Sequence, residues 1–183
     1  METKRIVTPL SDSVIEELRT GDKVLLSGVI YTARDAAHKR FIDTLQAGGS
    51  LPIEVTGQVI YYCGPSPPSP GRVIGASGPT TSGRMDAYTP TLLALGLKGM
   101  IGKGKRSRAV RDAIVEHKAI YFGATGGAGA LLSKAVVSYE ITAYEELGPE
   151  AVARLVVSDF PLFVINDVKG NDLYELGAAR YRT

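Results

Sequence analysis

With 183 residues, 44% of them hydrophobic and 22% charged, the chain is long enough to bury a core and has the makeup of one globular domain. A net charge of +2, no tryptophan and nine scattered tyrosines argue against nucleic acid or a membrane surface as a partner. The single cysteine, Cys63, excludes an internal disulfide and any iron–sulfur or zinc site built from this chain's thiolates alone.

The N-terminal residues form neither a signal peptide nor a long apolar span, so a cytoplasmic location is expected. Residues 4–9 read as a strand, and 11–19 as a helix with Val14, Ile15 and Leu18 on one stripe. Residues 24–31 are rich in aliphatic and β-branched side chains and read as a buried strand. Thr32 to Asp35 fits a capping box, opening a helix that runs to about residue 47 and ends at Gly48 and Gly49. Ala37, Phe41 and Leu45 give that helix an apolar face. Arg34 and His38 share another face, and His38 is expected on the surface. Residues 53–62 read as a strand broken at Gly57, followed by an exposed proline-rich loop over 65–70 and a further strand at 72–75.

Residues 75–86, GASGPTTSGRMD, hold the chain's densest mixture of glycine and hydroxyl side chains. They read as a loop, with a helix over 85–95 capped by Thr81 or Ser82. Arg84 then falls in the first helical turn, where the macrodipole disfavours a cation unless an anion binds there too. Downstream come a strand at 98–102, a loop at 102–107, and Ser107 as N-cap of a helix over 108–116. Next are a strand at 119–122, a glycine-rich turn at 123–131 that leads into a small-residue helix, and a strand at 136–144. A short helix at 148–155, strands at 155–158 and 162–167, and a turn at 170–172 follow. Strands alternating with helices predict an α/β fold, with the early strands in a separate sheet or barrel-like layer.

Four junctions repeat the order strand, polar loop, helix: 31–34, 75–84, 102–107 and 123–129. In open α/β sheets such loops gather at the strands' carboxyl ends. Arg34, Arg84, and Lys103 with Lys105 would there converge on a small anion, with Arg gripping carboxylates through paired hydrogen bonds. Lys105, Arg106 and Arg108 read as a solvated basic face, and Asp86 as a favourable charge at a helix start.

The segments GPTTSGRMD (78–86), TARDAAH (32–38), GKG (102–104), GATGGAGAL (123–131) and FPLFVIND (160–167) occur in this order. Together they resemble the β subunit of class I fumarate hydratase, with L-tartrate dehydratase as the related alternative. The resemblance implies a swivelling β/β/α domain, a mixed sheet with helices, over residues 4–175, with a polar tail at 176–183. It implies reversible hydration of fumarate to L-malate, carried out with an α subunit that holds a 4Fe-4S cluster in a hetero-oligomer, none being bound by this chain. Carried over by position, Arg34 and Arg84 bind substrate carboxylates. Thr80 removes the proton beside a carboxylate, Lys103 lines the catalytic site, and Thr81 joins the substrate-binding set or serves the backbone near the helix cap. A neutral threonine hydroxyl is a poor base, and cations such as Arg84 and Lys103 would favour its alkoxide. A non-catalytic module that binds a dicarboxylate or phosphate is the alternative from another class.

Overall fold

A computed structural model describes residues 3–179. In chain order the elements are β1 (Thr3–Val7), α1 (Asp12–Glu17), β2 (Lys23–Thr32), α2 (Asp35–Gln46), β3 (Val59–Tyr61), α3 (Thr89–Ala94) and β4 (Gly99–Gly102). Then follow α4 (Arg108–Glu116), β5 (Ile120–Gly123), α5 (Gly129–Leu132), β6 (Val136–Ala143), β7 (Val152–Asn166) and α6 (Leu173–Ala179). One seven-stranded sheet has the order β1-β2-β3-β4-β5-β7-β6, and β2 also pairs with β7. Strands β1 to β5 run parallel. Strand β7 is antiparallel to β2, β5 and β6. Because β7 pairs with both β2 and β5, strands β2, β3, β4, β5 and β7 close into a ring of hydrogen-bonded neighbours.

Side-chain alternation along the strands fills both faces of this ring. Val59, Tyr61, Ile101 and Phe122 join Ile30, Leu155 and Val164 in one buried cluster. Their sequence neighbours Ile60, Tyr62, Met100 and Tyr121 face the other way, against Phe41 of α2, Leu92 of α3 and Ile114 of α4. Parallel strands buried on both faces need near-continuous apolar runs, which 59–63 supplies.

Several expectations hold. Ser11 and Ser107 cap α1 and α4, accepting from Val14 and Val110 N–H at 3.4 Å each. Gly48 follows α2 with φ +78°. The expected mixed sheet with helices is present, but the early strands join the common sheet and form no separate layer.

Other expectations are corrected. Residues 72–75 form no strand, because Ser66 and Ala76 hydrogen-bond to each other and fold the proline-rich loop back on itself. The helix expected over 85–95 splits into a 3-10 turn, Ser82–Met85, and α3. Pro90 fits the first turn of α3 but would break a longer helix. The short helix expected at 148–155 lies earlier, as a kinked 3-10 segment over Glu145–Glu150, and gives way to strand from Val152; the two late strands are one strand, β7, flanked by β2 and β6 over its first half. Pro161 sits inside β7 opposite Leu25, at a stretch where β7 pairs with β2 alone. Helix α6 extends through Ala179, into the stretch read as a tail; residues 180–183 lie outside the described residues.

Candidate active site

Parallel β2, β3, β4 and β5 deliver their following loops to one rim of the ring, and those loops interlock. Segment 80–82 wedges between the ends of β3 and β4. Thr80 N–H donates to Tyr62 O at 2.7 Å, Lys103 N–H to Thr80 O at 3.3 Å, and Ser82 N–H to Lys103 O at 2.9 Å. Ser77 N–H donates to Gly129 O at 3.0 Å, tying the glycine-rich turn to the same loop. Two glycines allow this packing. A Cβ on Gly102 would collide with Ser82 Oγ, and one on Gly129 would come within 2.9 Å of Gly78 N.

The arginines meet at the start of α2. Arg84 Nη2 lies 2.6 Å from Asp35 Oδ2. Arg34 Nη2 lies 3.0 Å from Glu150 Oε1, and Arg34 Nε lies 3.8 Å from Asp35 Oδ1. Glu150 also accepts Ala36 N–H at 3.2 Å. The expected capping box is therefore absent. Arg34 is the N-cap residue without a side-chain cap bond, and Thr32 Oγ1 accepts from Ala153 N–H instead, at 3.2 Å.

Thr81 and Lys103 form a parallel bridge, and both side chains are exposed. A Cβ on Gly126 would lie 3.8 Å from Lys103 Cδ, so Lys103 reaches the glycine-rich turn. Lys105 is exposed and makes no ion pair among the described residues. Thr80 is half-buried between Tyr62 and Lys103. Thr81 precedes the 3-10 turn, but its hydroxyl makes no capping bond, and Ser82 Oγ turns away to Tyr121 Oη at 2.8 Å. Neither residue caps α3. Arg84 lies in the last turn of the 3-10 segment and not at the start of a longer helix, so the macrodipole gives no reason for its charge. Its pairing with Asp35 does.

Two residues behave differently from their sequence reading. His38 is fully buried, with Nδ1 2.8 Å from the Arg34 carbonyl and its ring against Phe41, Tyr62 and Tyr88. Burial pushes its pKa down to about 4, helped by the Arg106 charge and opposed by the Arg34 carbonyl. Arg106 is no solvated cation either. Its side chain is buried, Nε lies 2.7 Å from Asp86 Oδ1, and Nη2 donates to Thr89 Oγ1 at 2.8 Å. The guanidinium sits between Tyr62 and Tyr121, 5.3 and 5.0 Å from their ring centroids. Asp86 also accepts Ser107 N–H at 2.6 Å, so it clamps two loops together. No short-range sequence signal marks Arg106, since its partner lies 20 positions away.

The donor set does not fit an iron–sulfur cluster. Cys63 is buried in the ring interior, and burial pushes its thiol up to about 12, far from a thiolate ligand. Among the described residues no group of three or more His, Cys, Asp or Glu side chains is placed to hold a metal ion. No helix there is long and apolar enough to cross a membrane. What the rim offers is a pair of arginines on a shared carboxylate, two threonine hydroxyls and Lys103, which makes no ion pair among the described residues.

Comparison with known proteins gives this rim a context. The family model "Fumarase C-terminus" matches residues 2–177. Over 155 residues the chain is 40% identical to "Fumarate hydratase class I, anaerobic" of Escherichia coli (strain K12), covering 84% of this chain and 28% of that protein. Over 180 residues it is 35% identical to a protein of Geobacillus stearothermophilus named as a fumarate hydratase class I, covering 94% of this chain and 34% of that one. A protein of Methanocaldococcus jannaschii named as an L(+)-tartrate dehydratase subunit beta is 36% identical over 172 residues, covering 91% of this chain and 88% of that protein. The chain thus spans a minor part of the fumarase-named relatives and most of the one named as a β subunit. With a family match along nearly its whole length, the chain belongs to the Fumarase C-terminus family.

Proposed function

We propose that this chain is the β-type part of an iron–sulfur hydro-lyase that hydrates fumarate reversibly to L-malate. The observation that carries this reading is the meeting of Arg34 and Arg84 on one carboxylate, at a rim that also holds Thr80, Thr81 and Lys103. Paired guanidinium forks suit a ligand with two carboxylates. In this reading Arg34 and Arg84 each grip one end of the substrate, and Thr81 adds a hydroxyl contact. Thr80 Oγ1 receives the proton removed from the carbon beside a carboxylate, and Lys103 stabilises the negative charge that builds up as it leaves.

The 4Fe-4S cluster then belongs to an α-type partner, because this chain lacks the thiolates for it. The working enzyme is a cytoplasmic hetero-oligomer whose cleft forms between the two parts. Residues 4–175 act in it as one swivelling β/β/α domain. The match to nearly the full length of a protein named as a tartrate dehydratase β subunit supports L-tartrate as the second candidate substrate.

Co-expression with the cluster-bearing partner, followed by anaerobic assay of fumarate, mesaconate and L-tartrate, tests the reading. Fumarate hydration should dominate. Faster tartrate dehydration would reassign the substrate. Tight dicarboxylate binding by the chain alone, with no lyase activity in the complex, would replace the enzyme with a binding module.

A further inference from the structure

Both arginines of the rim reach the same side chain, Asp35, the first residue of α2. Arg84 is half exposed, and Asp35 is its one ion-pair partner among the described residues. An ion pair that open to water adds little stability. Its consequence is orientation: the 2.6 Å contact holds a long, otherwise free side chain in one place. Asp35 is itself well anchored, since its backbone is helical and the first turn favours a carboxylate.

The other oxygen points at Arg34. Asp35 Oδ1 and Arg34 Nε are both buried without a hydrogen-bond partner, and they face each other at 3.8 Å. Buried donors and acceptors rarely stay unpaired. This pair stands just outside hydrogen-bond range, within reach of a small shift of Arg34. Glu150 holds Nη2 of the same guanidinium while accepting Ala36 N–H, so its anchor is also the start of α2. Among the described residues each arginine keeps unused N–H groups for a ligand.

We infer that Asp35 is a positioning residue that sets the spacing and aim of Arg34 and Arg84, and thereby selects dicarboxylates over monocarboxylates. The inference rests on the carboxylate-binding roles proposed above. It also carries a sign that separates it from plain electrostatics. Removing a negative charge beside two arginines should by itself tighten anion binding. Lost positioning should weaken it.

The test uses the complete enzyme, cluster-bearing partner included, with L-malate as substrate and succinate and butyrate as inhibitors. Asp35→Asn should raise KM for L-malate about tenfold, more than it lowers kcat, and should erase most of the preference for succinate over butyrate. Asp35→Glu keeps the charge but lengthens the side chain by one methylene, and should also raise KM. In an Arg84→Ala background, Asp35→Asn should add clearly less than it does alone. Unchanged or tighter L-malate binding in Asp35→Asn overturns the inference. Should that variant fail to fold, unchanged KM in Asp35→Glu overturns it instead. If Arg84→Ala itself leaves KM unchanged, the carboxylate-binding role of Arg84 fails; if Arg84→Ala raises KM and the Asp35 variants do not, only the role of Asp35 fails.

Discussion

Replacing Arg106 with methionine should unfold this protein far more easily than any other single change to its basic residues. The substitution keeps an apolar stem of similar length but strands Asp86 and removes the cation between Tyr62 and Tyr121. Breaking a buried ion pair by deleting one partner costs roughly 3–5 kcal/mol. Asp86 is slightly exposed and keeps Ser107 N–H at 2.6 Å, so the lower end applies, about 3 kcal/mol. For a domain of this size that corresponds to a Tm lowered by roughly 6–12 °C. Arg106→Lys keeps the charge but loses the planar fork that reaches Asp86 and Thr89 together, and should cost roughly 1.5–3 kcal/mol. Urea unfolding at neutral pH measures both. The double variant Arg106→Met with Asp86→Asn should cost less than the sum of the single changes, because no buried charge is then left unpaired. A loss under about 1 kcal/mol for Arg106→Met, or strict additivity in the cycle, would refute the reasoning.

His38 predicts a pH dependence. Its folded pKa, about 4, lies below the ordinary 6.5, so the unfolded chain binds the proton more readily. Its contribution is complete above pH 6.5 and is lost as pH falls toward 4, by about 3 kcal/mol in all. His38→Gln should flatten the stability curve in that window, and an unchanged curve would contradict the burial argument. Thr80→Val should lower kcat of the complete enzyme by roughly 10²–10⁴-fold with KM little changed. Thr81→Val should leave stability within about 0.5 kcal/mol, since its hydroxyl caps nothing. Solvent deuterium exchange into malate decides between the two hydroxyls: normal exchange in Thr80→Val with loss in Thr81→Val would give Thr81 the proton. Gly102→Ala should cost about 1–3 kcal/mol by forcing Ser82 and Tyr62 aside, whereas Gly83→Ala, with nothing nearby to meet, should be close to neutral in a thermal melt.

The loops that meet at the rim were easier to read in the sequence than the strands around them. Hydroxyl and glycine residues at strand ends marked the rim, because turns and close approaches leave few other choices. Ser11 and Ser107 were readable as caps for the same local reason. Strand β7 was not, because its length depends on neighbours. Asp159, at φ +50°, and Pro161 look like chain breaks until β2 is there to pair with. The buried roles of His38 and Arg106 were equally hidden. A polar residue on a helix or loop reads as solvent-facing unless its partners are known, and Asp86 and the two tyrosine rings that enclose Arg106 come from separate elements. Asp35 was read only as part of a capping box, and only the fold brings both arginines to it.

The claim on which the rest depends is that this rim binds the substrate's carboxylates. The most direct measurement is kcat/KM for L-malate in the complete enzyme carrying Arg34→Lys, which keeps the charge and removes the fork. Loss of a charge-assisted hydrogen bond, about 1.5–3 kcal/mol, should lower kcat/KM at least tenfold. A value within about twofold of the wild type would place Arg34, and with it the rim, outside the site.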